Sequence, residues 1–281
     1  MKEINFKDLS LHSDLFNIIN NSTNKDIKYK TRKEIIREFN NEKWADVINK
    51  IKNNKDIKLQ EVDEQMECFE KISTFYFNKK FYLATGKESF NKHLELYSDL
   101  ISNYINDASA LVELGAGYGS KILNLSSFEA LNKLQLFAGE FTENGCESIK
   151  FLSDRMNKLI KVGRCDLEEL MIDELKIPEN SIIFTSYALH YIKEISKSFI
   201  DSLLKYNPKI VIHFEPCYEH HSNSSYGKMC KRYIELNDYN LNMISVFKNA
   251  EKNKKIILDI EENVIGSNPF LPVSVIKWRS T

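Results

Sequence analysis

Short apolar runs alternate with amphipathic stretches through the second two-thirds of the chain. Residues 111–114 are apolar except for Glu113, and they break into Gly115, Ala116, Gly117, Tyr118 and Gly119. Three glycines at alternate positions after a buried-strand pattern predict a tight turn between a strand and a helix. Glycine takes positive φ there and leaves backbone N–H groups open to a ligand. The spacing predicts a helix over 121–132 and a second strand over 134–139, ending in Glu140. Thr142 reads as an N-cap for a helix running to about residue 158. A third strand is expected over 159–162, with Asp166 just beyond it. A fourth over 181–186 leads into Tyr187 and His190, and a fifth over 209–214 ends at Glu215 and Pro216. This alternation predicts an α/β fold, a mostly parallel sheet with helices on both faces. The acids and histidines named fall at strand carboxyl ends, where such sheets bind ligands.

Glu140 lies 25 positions after Gly115, close to the spacing at which a strand-end carboxylate meets the ribose of a nucleoside. The run from Glu113 to Gly119 resembles the first motif of the class I S-adenosylmethionine-dependent methyltransferases. Glu140 resembles the acid of that family that holds the ribose, and Asp166 the acid that contacts the adenine amine. Residues 186–191 are similar to its segment after the fourth strand, and 213–216 to its fifth-strand end. Residues 256–264 and 273–278 look like its terminal hairpin. The resemblance covers roughly residues 95–281. It implies a Rossmann-like sheet of seven strands, mostly parallel, with an antiparallel terminal hairpin. It also implies S-adenosylmethionine as cofactor, bound by Glu113, Gly115, Ala116, Gly117, Tyr118, Gly119, Glu140, Phe141, Asp166, Leu167 and Ser186. A nicotinamide or flavin fold would need a small residue packed three places after the second glycine. Ser120 stands there, and the third glycine comes one residue early, at Gly119.

Two segments lie outside this core. Residues 1–94 are expected to form a helical lid, with spaced apolar faces over 29–40, 44–52 and 62–77; the basic stretch 28–37 reads as a solvated helix face. The insertion 217–255 is rich in aromatic and polar groups. Tyr218, His220, His221, Tyr226, Arg232 and Tyr239, together with Tyr187, are its candidate acceptor contacts. The same composition also suits a helical cap with aromatics in its own core.

Methyl transfer from a sulfonium needs in-line contact more than acid catalysis, because the leaving group is neutral. A base matters only for an un-ionised nucleophile. His190 is the first candidate, with Glu215 and then His213, which shares a strand face with Glu215, behind it. His190 can equally be only a pocket wall. No metal is expected, since His213, Glu215, His220 and His221 match no compact ligand spacing. The Asn/Asp-Pro-Pro-Tyr/Phe signature of amino-directed methylation is missing after the fourth strand, where Ser186 and Tyr187 stand. The expected activity is O-methylation of a small molecule, in natural-product or surface-glycan assembly. A peptide side chain is the second acceptor class, and a cofactor-binding scaffold without catalysis the third reading.

Composition narrows the partners. A net charge of −1 gives no field to attract nucleic acid, no apolar run is long enough for a membrane span, and residues 1–6 carry no signal-peptide pattern. The cytoplasm is the expected location, and homodimerisation is left open. The five cysteines, Cys68, Cys146, Cys165, Cys217 and Cys230, form no Cys-x-x-Cys pair, which argues against a zinc ribbon or a disulfide frame.

Overall fold

Ten strands pair into one mixed sheet: β1 (Lys2–Ile4), β2 (Ile72–Phe77), β3 (Lys80–Thr85), β4 (Ala110–Leu114), β5 (Gln135–Glu140), β6 (Ile160–Arg164), β7 (Ile182–Ser186), β8 (Ile210–Pro216), β9 (Ile256–Gly266) and β10 (Val273–Ser280). The computed structural model describes residues 1–281, the side chain of Asp173 excepted. The order across the sheet is β1-β3-β2-β9-β10-β8-β7-β4-β5-β6. Strands β8, β7, β4, β5 and β6 are parallel neighbours, and the remainder join antiparallel. Chain order reverses on either side of β4, so the crevice at its carboxyl end is the topological switch point where such sheets take ligands.

The helices are α1 (Leu9–His12), α2 (Asp14–Asn21), α3 (Arg32–Ile36), α4 (Trp44–Asn53), α5 (Leu59–Met66), α6 (Gly86–Ser102), α7 (Ser120–Leu125), α8 (Glu143–Arg155), α9 (Phe199–Leu204), α10 (Ser225–Leu236) and α11 (Met243–Lys252). Their starts follow from local chemistry. Thr85 and Glu88 form a capping box on α6, and Thr142 accepts the N–H of Gly145 at the start of α8. Period-two alternation splits the core into two layers. Leu111, Ile182, Phe184, Ile212 and Phe214 pack on one side of the sheet, with α4 to α8. Val112, Leu114, Ile183 and Val211 pack on the other, with α9 and α11.

Residues 1–94 are expected from their patterning to be helical throughout, and they are not. They add β1, β2 and β3 to the β9 edge, which makes ten strands where seven were expected. Helical spacing over 62–77 holds only to Met66; the β-branched and aromatic run Ile72–Phe77 then becomes a strand. Asn78 and Lys79, both at positive φ, close a two-residue hairpin onto β3. Two further helices differ in extent. The first predicted helix starts at Arg32 and passes through a π-helical stretch, Arg37–Lys43, directly into α4. The helix expected over 121–132 stops at Leu125.

This segment is bound into the sheet's carboxyl side by a buried acid. Asp63 of α5 accepts hydrogen bonds from Tyr118 Oη (2.8 Å), Ser120 Oγ (2.7 Å) and Asn124 Nδ2 (2.8 Å), clamping the turn after β4 and the first turns of α7. Burial raises the Asp63 pKa, and those three donors partly offset the cost. Glu67 and Lys121 add an ion pair at 3.1 Å beside it. Asp63→Ala should therefore strand three donors and lower unfolding free energy by about 2–4 kcal/mol, whereas Asp63→Asn should lose about half of that. Urea denaturation checks both; equal, small losses would show that water replaces the carboxylate.

Candidate active site

The turn after β4 shapes the floor of a cavity. Gly115 and Gly117 both take positive φ, +77° and +59°. A Cβ on Gly115 would stand 2.5 Å from the Cβ of Ala188, and one on Gly117 would stand 2.9 Å from Cζ2 of Trp44. No side chain fits either position. Gly115 and Ala116 donate their N–H groups to the Gly139 carbonyl (2.8 and 3.0 Å), which ties the turn to the end of β5.

Glu140, the last residue of β5, faces that turn. Its Oε2 accepts the N–H of Gly117 at 2.8 Å, and its Oε1 accepts the N–H and hydroxyl of Thr142 at 2.9 and 2.7 Å. Burial raises its pKa; the bonds from Thr142 and Gly117 oppose that. Phe141 and Asp166 complete this side, one offering a ring face and the other a carboxylate. The N-terminal segment supplies the opposite wall: Arg32, Ile35, Phe39 and Trp44 line the same cavity. Asn40, in the π-helical stretch, is anchored to α8. Its Oδ1 accepts the N–H of Asn144 (3.0 Å), and its carbonyl accepts Nδ2 of the same residue (2.8 Å).

Behind the third wall runs a hydrogen-bond chain whose direction is set by chemistry. Trp278 can only donate, and its Nε1–H reaches His213 Nε2 at 3.0 Å. The imidazole proton must then sit on Nδ1, which donates to Thr185 Oγ1 (3.0 Å), and the threonine hydroxyl donates to Glu215 Oε1 (2.7 Å). Glu215 also accepts the N–H of Ala188 at 3.0 Å, and its Oε2 lies 3.4 Å from Nδ1 of His190. Burial alone would raise the Glu215 pKa; the contacts from His190, Ala188 and Thr185 outweigh it and hold the carboxyl below its usual range. His213, by contrast, is pushed down to about 4 by burial and is neutral. The anchored segment contains Tyr187 at φ +51°, a left-handed residue that is not glycine.

Comparison with solved structures follows from this geometry. The chain is similar to magnesium protoporphyrin IX methyltransferase (ChlM) from Synechocystis PCC 6803, solved with bound SAH. The TM-score is 0.53 at 12% identity, covering 88% of this chain and 100% of that one. The chain has the class I methyltransferase fold. It is also similar to the small RNA methyltransferase HEN1, at TM-score 0.49 and 14% identity, covering 68% of this chain; it spans only 25% of the length of that protein. Geranyl diphosphate C-methyltransferase from Streptomyces coelicolor A3(2) matches at TM-score 0.48 and 7% identity, over 68% of this chain and 82% of that one. No family model matches the sequence, and a search of curated proteins finds no match.

On this methyltransferase fold the sequence-derived residues separate into groups. Gly115, Gly117, Glu140, Phe141, Asp166, Leu167 and Tyr187 line the cavity together. Glu113 lies under the floor, where Oε2 accepts the N–H of Ile122 at 3.0 Å and burial pushes its pKa up to about 8. Ala116, Tyr118 and Gly119 hold the turn, and Ser186 bonds Tyr97 at 2.9 Å. The three catalytic candidates sit in a layer behind the cavity rather than on its surface. His190 is 2% exposed, its ring packed against Tyr191 and Tyr239 at 4.0 and 4.7 Å.

Most of the insertion residues are spent on packing. Tyr226 lies in an aromatic cluster with Phe6, Tyr76 and Phe81, its hydroxyl donating to the Pro269 carbonyl. Arg232 bonds Ser22 and Asn24, joining α10 to the N-terminal segment. Tyr218 donates to Glu235, and the buried His220 contacts Ser274 at 2.7 Å through Nδ1. His221 is also buried, its Nε2 without a protein partner. Tyr239 lines a smaller recess that shares Arg32, Ile35, Glu168 and Tyr191 with the main cavity. Sequence reading missed Ile35, Phe39, Trp44 and Asp63 as site residues, and it took Arg32, within the basic stretch 28–37, for part of a solvated helix face, whereas Arg32 lines the cavity and pairs with Asp166. Only the pairing of aromatics with a capped helix at Thr31 and Glu34 marked that stretch.

His213 offers a sign-definite test. Its folded pKa, about 4, lies below the ordinary 6.5, so the unfolded chain takes up a proton first as pH falls through that window. The stability its neutral form contributes is present above about 6.5 and is lost toward 4. The deficit of His213→Gln relative to wild type should therefore shrink on acidification, by about 1.4 kcal/mol per pH unit in mid-window. Paired denaturation curves at several pH values measure it; a constant gap would mean that His213 titrates alike in the folded and unfolded chain.

Proposed function

We propose that the chain is an S-adenosylmethionine-dependent methyltransferase acting on a small molecule. One observation carries the reading: a single cavity at the switch point gathers the carboxylates of Glu140 and Asp166, an aromatic face and a side-chain-free turn. These groups fit a nucleoside with an amino-acid arm. The Phe141 ring offers a stacking surface for the base, and Asp166 an acceptor for its amine. Oε2 of Glu140, which carries the Gly117 bond, has acceptor capacity left for a ribose hydroxyl. Leu167 adds an apolar edge, and the turn at Gly115 and Gly117 presents bare backbone to the arm. The absence of a phosphate-cradling third small residue favours this ligand over a dinucleotide. When bound, the cofactor supplies a methyl group on a sulfonium, whose departure as a neutral thioether needs no acid.

The chain's remaining task is alignment and exclusion of water. Besides Arg32, Thr142, Cys165, Glu168 and Ala188, the lining residues not claimed for the nucleoside are Ile35, Phe39, Trp44, Tyr187, Tyr191 and Ile192. They are apolar or aromatic, and burial raises the phenol pKa values of Tyr187 and Tyr191, so neither serves as a base at neutral pH. His190, behind Tyr191, positions the wall with Glu215. We therefore favour O-methylation of an acceptor that arrives ionised, a carboxylate above all, held against the aromatic wall by its apolar body.

The tests separate cofactor from acceptor. Wild-type protein should bind S-adenosylhomocysteine in calorimetry, and Glu140→Gln should weaken it about ten- to a hundredfold, the scale of a lost charge-assisted hydrogen bond. Binding of NADH in its place would overturn the assignment. With a labelled methyl group and a panel of small acids, alcohols and peptides, the product should release methanol on mild alkaline treatment, as carboxyl esters do; an alkali-stable product would redirect the acceptor to a hydroxyl or amine.

A further inference from the structure

Arg32 occupies the one place in the cavity that a nucleobase would need. Its Nη2 pairs with Asp166 Oδ2, and its Nη1 reaches Asp166 Oδ1 at 3.4 Å and Glu168 Oε2 at 2.7 Å. Its Cζ stands 4.8 Å from the centroid of the Phe141 ring. A guanidinium is planar, carries N–H donors along its edge and stacks by its face. An aminated purine offers the same two features, a flat face and an N–H edge. The two therefore satisfy the same carboxylate and the same ring, and they cannot do so together. The space left in the cavity agrees: about 160 Å³, below the roughly 300–1,000 Å³ of ordinary ligand pockets.

We propose that Arg32 is a built-in competitor for the base subsite, closing it in the ligand-free protein and withdrawing when the cofactor enters. The inference rests on the cofactor reading above and adds its regulation. The neighbours of Arg32 make withdrawal inexpensive. Its side chain is 36% exposed, and Glu168, at the edge of the cavity lining, and Glu169 are 45% and 62% exposed, so the freed guanidinium keeps acidic partners at the rim. The chain around Arg32 has contacts of its own. The Lys28 N–H bonds the Leu236 carbonyl at 2.8 Å, and Lys30 pairs with Glu38 at 2.6 Å. A side-chain swing therefore frees the Phe141 ring face and the Asp166 carboxylate for a base.

The test is the affinity of S-adenosylhomocysteine, which has no net charge, measured by calorimetry and stopped-flow fluorescence in wild type and Arg32→Ala at low and high salt. Removing the competitor should tighten binding about three- to thirtyfold, the span that a part-exposed ion pair and a cation–π contact supply together. The gain should appear in the association rate. In wild type, added salt should improve binding of this neutral ligand, because it screens the competing ion pair; in Arg32→Ala that dependence should vanish. Glu168→Gln, which loosens Arg32 without touching Asp166, should give a smaller gain in the same direction. Weaker binding by Arg32→Ala, or equal binding with no salt effect in wild type, would overturn the proposal while leaving the cofactor reading intact. Failure of wild type and both variants to bind at all would overturn the cofactor reading itself.

Discussion

The cavity depends on one buried anion. Glu215 is fully enclosed at the end of β8, and a bare carboxylate in that position would cost several kcal/mol. Thr185, Ala188 and His190 supply the compensation. Because Trp278 can only donate, the chain through His213 leaves the Thr185 proton no other acceptor, so Glu215 is fixed as the receiving end. The residues it holds form the wall that carries Tyr187, Ala188 and Tyr191. Without that hold, the left-handed φ of Tyr187 would relax at a gain of about 1–2 kcal/mol, and the wall would move with it. Glu113 makes the contrast. It is equally buried two strands away, on β4, but accepts one backbone N–H from Ile122, and it is held largely protonated. Donor count, not burial, decides which of the two acids is charged.

The parallel core was legible because its strands are buried on both faces and read as apolar runs ending in turn or acid residues. Glu140, Phe141, Asp166 and Leu167 were legible for a related reason: each stands at the end of a strand or within three positions beyond it, so locating the strand locates the residue. Strands β2 and β3 were not, although Asn78-Lys79 between aromatic runs was a usable hairpin signal; the helical spacing of 62–66 masked it by running on into the strand. Arg32 and Trp44 were read as parts of helices, and nothing in the sequence marked them as cavity residues. Arg32 meets Asp166 across 134 positions, and a contact that distant imprints no periodicity on either partner. The insertion misled for a third reason. Aromatic and polar residues mixed at high density describe a binding wall and a packed interface equally well. Tyr226 and Arg232 belong to the interface, because their partners come from residues 6–81, which sequence reading had assigned to a separate lid.

That N-terminal segment also reverses the usual relation between a core and its appendage. Asp63 grips the turn and helix that follow β4, while Asn40 caps the helix that follows β5. Arg155 of α8 returns the contact by donating to the carbonyls of Ile51 and Ile57. The two helices that begin at the cavity are thus braced from the segment that overhangs it. A wall braced in this way resists rigid-body opening, since moving residues 37–66 as a unit would break bonds at both helices at once. Access must then come from groups at the rim whose bonds are part-exposed and individually weak. The ion pairs at the cavity mouth fit that description, while the bonds beneath Trp44 do not. Division of labour between a stiff brace and a loose rim lets a ligand enter without unfolding the segment, and lets its binding energy go into alignment instead of reorganisation.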